Sequence, residues 1–210
     1  AAARGFDHVD PGDLAVAMCF LPTEPAARKR AEALAERAAR EAKLAVVGWR
    51  EVPTCPEALG ERARATMPAI AQLLLARPTW AEPARFGRSL YLARRVMERL
   101  ALDAGLADFF VCSLSSRTVV YKALAGAAQL RGFYPDLQDP AFESAFCLFH
   151  ARFSTNTHPT WALAQPFRLI AHNGEINTVE GNRHALTARE PALGEGGWAA
   201  DERRWLAPVL

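Results

Sequence analysis

Two short stretches hold most of the hydrogen-bonding side chains that could act together chemically. The first, His150-Ala151-Arg152-Phe153-Ser154-Thr155-Asn156-Thr157-His158, runs off an apolar segment, and so does the second, Ala171-His172-Asn173-Gly174-Glu175-Ile176-Asn177. Loops at the ends of strands are where sites are usually built, because a rigid scaffold holds those ends in place. Arg152 offers a planar fork of donors that suits a carboxylate better than a lysine would. An Asn-Gly step turns one side-chain amide and one backbone N–H toward the same point, as the stabilisation of an oxyanion requires. Gly174 also lets a ligand approach the backbone closely. Together they suit an amino acid held by its α-carboxylate while its side-chain amide or ester is attacked, and glutamine fits that description. Each also has a plainer reading. Arg152 would serve as half of a structural ion pair, and Asn173-Gly174 as a hairpin turn.

Other chemistry-bearing residues point less clearly. The cysteines at 19, 55, 112 and 147 are too far apart to form a C-x-x-C pair, so no zinc, iron-sulfur or thioredoxin-like spacing exists and no metal ligands are assigned. Cys19, Cys112 and Cys147 sit in apolar stretches and read as buried, inert thiols. Cys55, between Pro53 and Pro56, reads as exposed, with nothing nearby to activate it. Ser154 with His172 would make a hydrolase pair, but no G-x-S-x-G elbow is present. Asp7, Asp10 and Asp13 are spaced like calcium ligands without the Glu that closes an EF-hand loop. His150, His158, His172 and His184 are given no proton-transfer role.

The elements that must position these residues follow from periodicity. Leu14–Leu21 is an apolar run ended by Pro22 and reads as a buried strand. Thr23 is a plausible N-cap for a helix with Pro25 in its first turn and Ala27, Ala31, Leu34, Ala38 and Ala42 on one face. Ala45–Val52 reads as a strand, Ile70–Leu75 as a further one, and Phe86–Leu102 as a helix stopped near Gly105. Phe109–Leu114 and Thr118–Leu124 read as a hairpin, and Phe142–Phe153 and Phe167–Ala171 as two more strands. Asn177–Glu190 reads as a closing helix and Pro191–Gly197 as a loop. With no repeat and no linker, the 210 residues read as one domain of mixed strands and helices.

Composition excludes several classes. Lys plus Arg number 25 and Asp plus Glu 23, leaving +2, too little for a field that holds nucleic acid or anionic lipid. Half the residues are apolar and 23% charged, which is a folded globule and not a disordered chain. The longest apolar run, Leu14–Leu21, is far short of the roughly 20 residues that span a bilayer. No secretory signal is visible, so a soluble, cytoplasmic protein without nucleic-acid or membrane partners is expected.

With HARFSTNT and HNGEIN stand GWREVP (Gly48–Pro53), VCSLSSRTVVYK (Val111–Lys122) and FYPDL (Phe133–Leu137). In combination these strings resemble the class II glutamine amidotransferase domain of the glutamate synthase large chain. The resemblance implies an α+β fold, the four-layer αββα sandwich of the N-terminal-nucleophile hydrolases. It implies that Arg152 and Thr155 bind the glutamine α-carboxylate, with Phe153, Ser154 and Asn156 shaping the same loop, and that Asn173 and the Gly174 N–H stabilise the oxyanion. It further implies a nucleophilic cysteine at a mature N-terminus, with its α-amine as general base. None of the four cysteines fits that place, so 1–210 reads as a partial domain whose sandwich is incomplete, inactive by itself and missing the Asp that would hold the substrate amino group. Flavin mononucleotide and an iron-sulfur cluster are expected in the rest of the large chain and no cofactor in this segment. Partners are glutamine, the remaining synthase domains and a small reductase subunit. Neither the electron donor nor the oligomeric state is readable. The alternative is a non-catalytic homologue that uses the sandwich for glutamine sensing or assembly.

Overall fold

The computed structural model describes residues 10–151, 158–166, 179–194 and 196–206. Strand β1 (Leu14–Leu21) leads to helix α1 (Pro25–Glu41), strand β2 (Ala45–Glu51), the short helix α2 (Glu61–Ala65) and strand β3 (Ala69–Ala76). Helix α3 (Pro83–Asp103) and strand β4 (Phe110–Ser115) follow, then α4 (Ala127–Phe133), α5 (Val179–Thr187) and α6 (Ala200–Leu206).

The four strands form one antiparallel sheet in the order β2-β3-β1-β4. The register runs from Leu14 opposite Ala76 to Leu21 opposite Ala69 in the central pair. β1 and β2 both run antiparallel to β3, which lies between them, and β3 and β4 flank β1 in the same way. Two β-α-β units are therefore interleaved, each with a strand of the other inserted between its own strands. This placement explains why β1 and β3 are apolar along their whole length. Both are central strands covered on both faces, and Gln72 is the one polar residue in the two.

One face of the sheet packs on α1 and α3. Ala17, Cys19, Leu21, Leu73, Leu75 and Val111 meet Ala31, Ala35 and Ala38 of α1 and Leu90, Val96 and Met97 of α3. The opposite face, with Met18, Phe20, Ile70 and Cys112, is covered by Phe133, Tyr134, Trp161 and the segment 119–125. The α+β character is as the sequence suggests. Among the described residues there is a single sheet.

Several local expectations are corrected. Glu24, not Thr23, caps α1: its carboxylate accepts the Ala26 and Ala27 N–H groups at 2.8 and 2.6 Å, leaving Pro25 at the first helical position. Those bonds hold the Glu24 carboxyl below its ordinary range. Thr118–Leu124 is not the second arm of a hairpin. Ser115 Oγ takes the N–H groups of Arg117 and Thr118, and Ser113 Oγ that of Val120, so serine side chains replace the ladder bonds a strand would need. Residues 142–151 form no strand, and Phe142, Phe146, Leu148 and Phe149 are exposed; no described strand lies alongside to pair with them. Cys147 is exposed as well, contrary to its expected place in a core. The loop expected at 191–197 begins as a 3-10 turn over Glu190–Gly194. Leu193 within it and Trp198 and Trp205 beyond it pack against the α1–α3 core. The expected strand Phe167–Ala171 lies outside the described residues.

Candidate functional site

Arg152, Phe153, Ser154, Thr155 and Asn156 lie outside the described residues, as do His172, Asn173 and Gly174. What the structure describes is the scaffold beside them: His150 and Ala151 before the first motif, His158–Pro166 after it, and the sheet face toward which the latter segment packs.

That face carries a closed polar network. Arg50 on β2 donates two hydrogen bonds to Asp136, at 2.8 and 2.6 Å, and a third to Gln72 Oε1 at 3.1 Å. The Tyr121 hydroxyl donates to Asp136 Oδ2 at 2.7 Å and accepts from Gln72 Nε2 at 3.2 Å. Four residues from two strands, the 119–125 segment and the turn Pro135–Gln138 thus satisfy one another. Burial alone would raise the Asp136 carboxyl, but the bonds from Arg50 and Tyr121 outweigh it and hold it below its usual range. The same contact with Asp136 raises Arg50. Burial first, and the Asp136 carboxylate second, push the Tyr121 phenol well up. Near neutral pH the tyrosine therefore stays protonated and the aspartate ionised. The network is a brace and not a proton relay.

Beside it lies Lys122. Its Nζ donates to the Ala162 carbonyl at 2.7 Å and stands 4.5 Å from the centroid of the Phe110 ring. Its own carbonyl accepts the Tyr134 hydroxyl at 2.8 Å. Burial pushes the Tyr134 phenol far up, so it too stays a donor. Trp161 packs edge-on against Phe20 with centroids 5.6 Å apart, and its indole N–H reaches the Ala63 carbonyl at 3.3 Å.

Where β1 ends and β3 and β4 begin, a cavity of about 690 Å³ opens against this segment. Phe20, Phe110, Met67 and Trp161 line it together with Arg62 and Asp108, and its wall from His158 to Ala162 continues directly from Thr157. Its size is within the range of small-molecule sites.

The four cysteines do not converge. Cys19 and Cys112 are buried, and burial pushes the Cys19 thiol up. Desolvation, then the nearby Glu57, raises Cys55 as well, so it is not an activated thiol. Among the described residues no group of three His, Cys, Asp or Glu is placed to hold a metal ion, and no helix is long and apolar enough to cross a membrane. Residue-type reasoning missed Arg50, Gln72, Tyr121, Lys122 and Asp136. Their signal was a lone Gln within the apolar run AIAQLLLA, since a buried polar side chain must find partners.

A sequence model of the class-II glutamine amidotransferases matches residues 1–210. The chain is 44% identical over 207 residues to ferredoxin-dependent glutamate synthase 2 of Synechocystis, covering 99% of this chain and 13% of that one. It is 47% identical over 148 residues to the glutamate synthase (NADPH) large chain of Azospirillum brasilense, covering 70% of this chain and 10% of that one. To the chloroplastic ferredoxin-dependent glutamate synthase of rice it is 39% identical over 203 residues, or 96% and 13%. The chain thus spans about an eighth of the length of the relatives it matches along nearly its whole extent.

Proposed function

The chain belongs to the class-II glutamine amidotransferases, and from that membership we propose that it forms part of a glutaminase domain in a glutamate synthase. In that role it releases glutamate and ammonia from glutamine, and the ammonia passes to 2-oxoglutarate. The observation that carries the reading is that HARFSTNT and HNGEIN occur in a chain matched by the family along its full length. The cavity walled by His158–Ala162 is compatible with it, because those residues follow the proposed clamp directly in sequence.

Arg152 and Thr155 grip the α-carboxylate in this reading. A cysteine thiolate outside the described residues attacks the side-chain carbonyl while an N-terminal amine takes the thiol proton. The negative charge that develops on the carbonyl oxygen is met by the Asn173 amide and the Gly174 N–H. Collapse of that intermediate breaks the C–N bond and expels ammonia, which carries the proton held by the amine. Water then cleaves the thioester to glutamate and regenerates the thiol. In this reading none of the four cysteines, Cys19, Cys55, Cys112 or Cys147, is that nucleophile, and the 210-residue polypeptide alone is expected to be inactive. Flavin and iron-sulfur chemistry belongs to other parts of the synthase. The four-layer sandwich would be completed around the described sheet by residues outside it.

Glutamate release by the full-length synthase chain tests the reading. Asn173→Ala should lower kcat about 10²- to 10³-fold, the usual effect of losing one oxyanion donor. Arg152→Lys should raise KM for glutamine, since bidentate binding is lost. An unchanged rate in the first variant would leave Asn173 as a turn residue only, and an unchanged KM in the second would reject the clamp.

A further inference from the structure

Strand β3 is followed by Arg77 and the turn Pro78–Ala81, which the Ala81 N–H closes on the Pro78 carbonyl at 2.9 Å. Arg77 ties this turn to the start of β1. Its guanidinium grips the Asp13 carboxylate at 2.7 and 2.8 Å and also donates to the Ala81 carbonyl, and its backbone N–H donates to the Asp13 carbonyl at 2.9 Å. Pro78 begins the turn and Pro83 opens α3, so the loop is held at both ends before anything touches it. At its third position stands Trp80, 71% exposed, and among the described residues no hydrogen bond or ring contact engages the indole. The turn does not call for it: that position is ordinarily filled by Gly, Asn, Asp or Ser, which favour the bend. A large, stiff aromatic ring on a preset loop is the kind of group that anchors a contact.

The size of the patch limits what can cover it. A tryptophan buries about 150–250 Å², whereas a free partner needs about 800 Å² on each side. Thr79, Glu82 and Arg85 beside it in sequence are exposed and polar, so they add little apolar surface to the ring. Trp80 by itself cannot hold a second copy of the chain. It can hold a segment joined to it covalently, because linkage raises the effective concentration and removes much of the entropy loss of association. The chain spans about an eighth of the length of its relatives, which leaves ample chain to supply such a segment.

We infer that Trp80 is a docking anchor between this domain and another part of the same glutamate synthase chain. The partner surface is an apolar pocket of indole size with a carbonyl at its edge to accept the indole N–H. The inference rests on the reading of the chain as part of a synthase.

The test uses the full-length synthase chain with Trp80→benzoylphenylalanine, a photo-crosslinking residue of similar bulk. Irradiation should join position 80 to a peptide outside 1–210 while the chain keeps its single-chain mass on a denaturing gel. A doubled mass makes the neighbour a second copy, and a crosslink confined to 1–210 makes it this domain's own covering. Either result overturns the inference, as does irradiation that yields no crosslink. In the wild-type chain, hydroxyl-radical labelling of Trp80 should be about tenfold slower than in urea, and labelling within about twofold of the unfolded rate overturns the inference as well. If the first variant does not fold, Thr79→benzoylphenylalanine leaves the indole in its pocket and carries the same crosslinking readout. In each of these failures the wild-type synthase still releases glutamate from glutamine, which separates them from failure of the amidotransferase reading, where the wild type itself releases none.

Discussion

Asp136→Asn isolates the brace on the open sheet face. The carboxylate accepts two bonds from Arg50 and one from Tyr121. An amide keeps one acceptor oxygen and turns an NH₂ toward a guanidinium that can only donate, so one Arg50 bond becomes a donor facing a donor. Charge-assisted bonds are each worth about 1.5–3 kcal/mol, and breaking a buried pair costs about 3–5 kcal/mol. Here the Asp136 side chain is 14% exposed but Arg50 is 33% exposed, so water screens and partly re-solvates the guanidinium. About 2–3 kcal/mol is the expected loss at pH 7. For a chain of this size that lowers Tm by about 5–10 °C. The pH dependence gives the sharper test. Because the folded Asp136 carboxyl sits below its ordinary range, its contribution is complete above the unfolded value near ~3.9 and disappears as pH falls through the folded value. Urea unfolding of wild type and variant should therefore show a gap that is wide at pH 7 and narrows below about pH 4. A gap under about 0.5 kcal/mol at pH 7 would mean that solvent screens the pair completely. A gap that does not change down to pH 3 would mean that the lost interaction is not ionic. The double change Arg50→Met with Asp136→Leu should cost less than Asp136→Asn alone, since it strands no charge.

Two further changes test the backbone rather than the side chains. Helices α1 and α3 end in the same motif: Lys43 and Leu44 donate back to Arg40 and Ala39, as Gly105 and Leu106 do to Leu102 and Ala101. The left-handed position is glycine at 105 (φ 67°) but lysine at 43 (φ 61°), so Lys43→Gly should raise stability by about 1 kcal/mol, read as a higher urea midpoint. Gly48 sits at the bulge in β2 with φ 152° and nothing near the position a Cβ would take. Gly48→Ala should nonetheless lower stability by about 1–2 kcal/mol from backbone strain alone, and a neutral result would show that β2 relaxes its bulge.

The sheet and its two long helices were legible because their burial is simple. β1 and β3 are covered on both faces and so are apolar throughout, and α1 and α3 show one stripe to one surface. Glu24 displaced Thr23 as the cap because the longer side chain of the residue adjoining Pro25 reaches two free N–H groups at once. Thr118–Leu124 misled because β-rich composition reports a fit to a pleated surface, and Ser113 and Ser115 had already claimed the backbone donors. The apolar stretch 142–149 misled in the same way: its residues are strand formers, yet a strand exists only where a second one runs beside it, and Phe146 and Phe149 stand exposed. Arg152 and Asn173 lie outside the described residues, and their reading as a carboxylate clamp and an oxyanion pair belongs to the proposed function. The Arg50–Asp136 pair was not legible, because its members lie 86 positions apart and only the tertiary fold brings them together.

That topology also separates the two faces of the sheet by role. The buried polar side chains among the described residues are Gln72, Ser113 and Lys122, and the contacts of all three point away from α1 and α3. On the helical side the buried cluster is aliphatic, sulfur-bearing or aromatic, so a substitution within it changes volume and hence stability. On the other side, satisfied hydrogen bonds hold Tyr121, Lys122, Tyr134 and Ala162 in fixed relation. A polar network that is fully satisfied is rigid. Leu73→Ala on the helical face should therefore lower Tm and leave KM for glutamine unchanged. In the proposed glutaminase a change to Asp136 should move KM as well, because its network lies on the same side of the sheet as Trp161 and the cavity it lines.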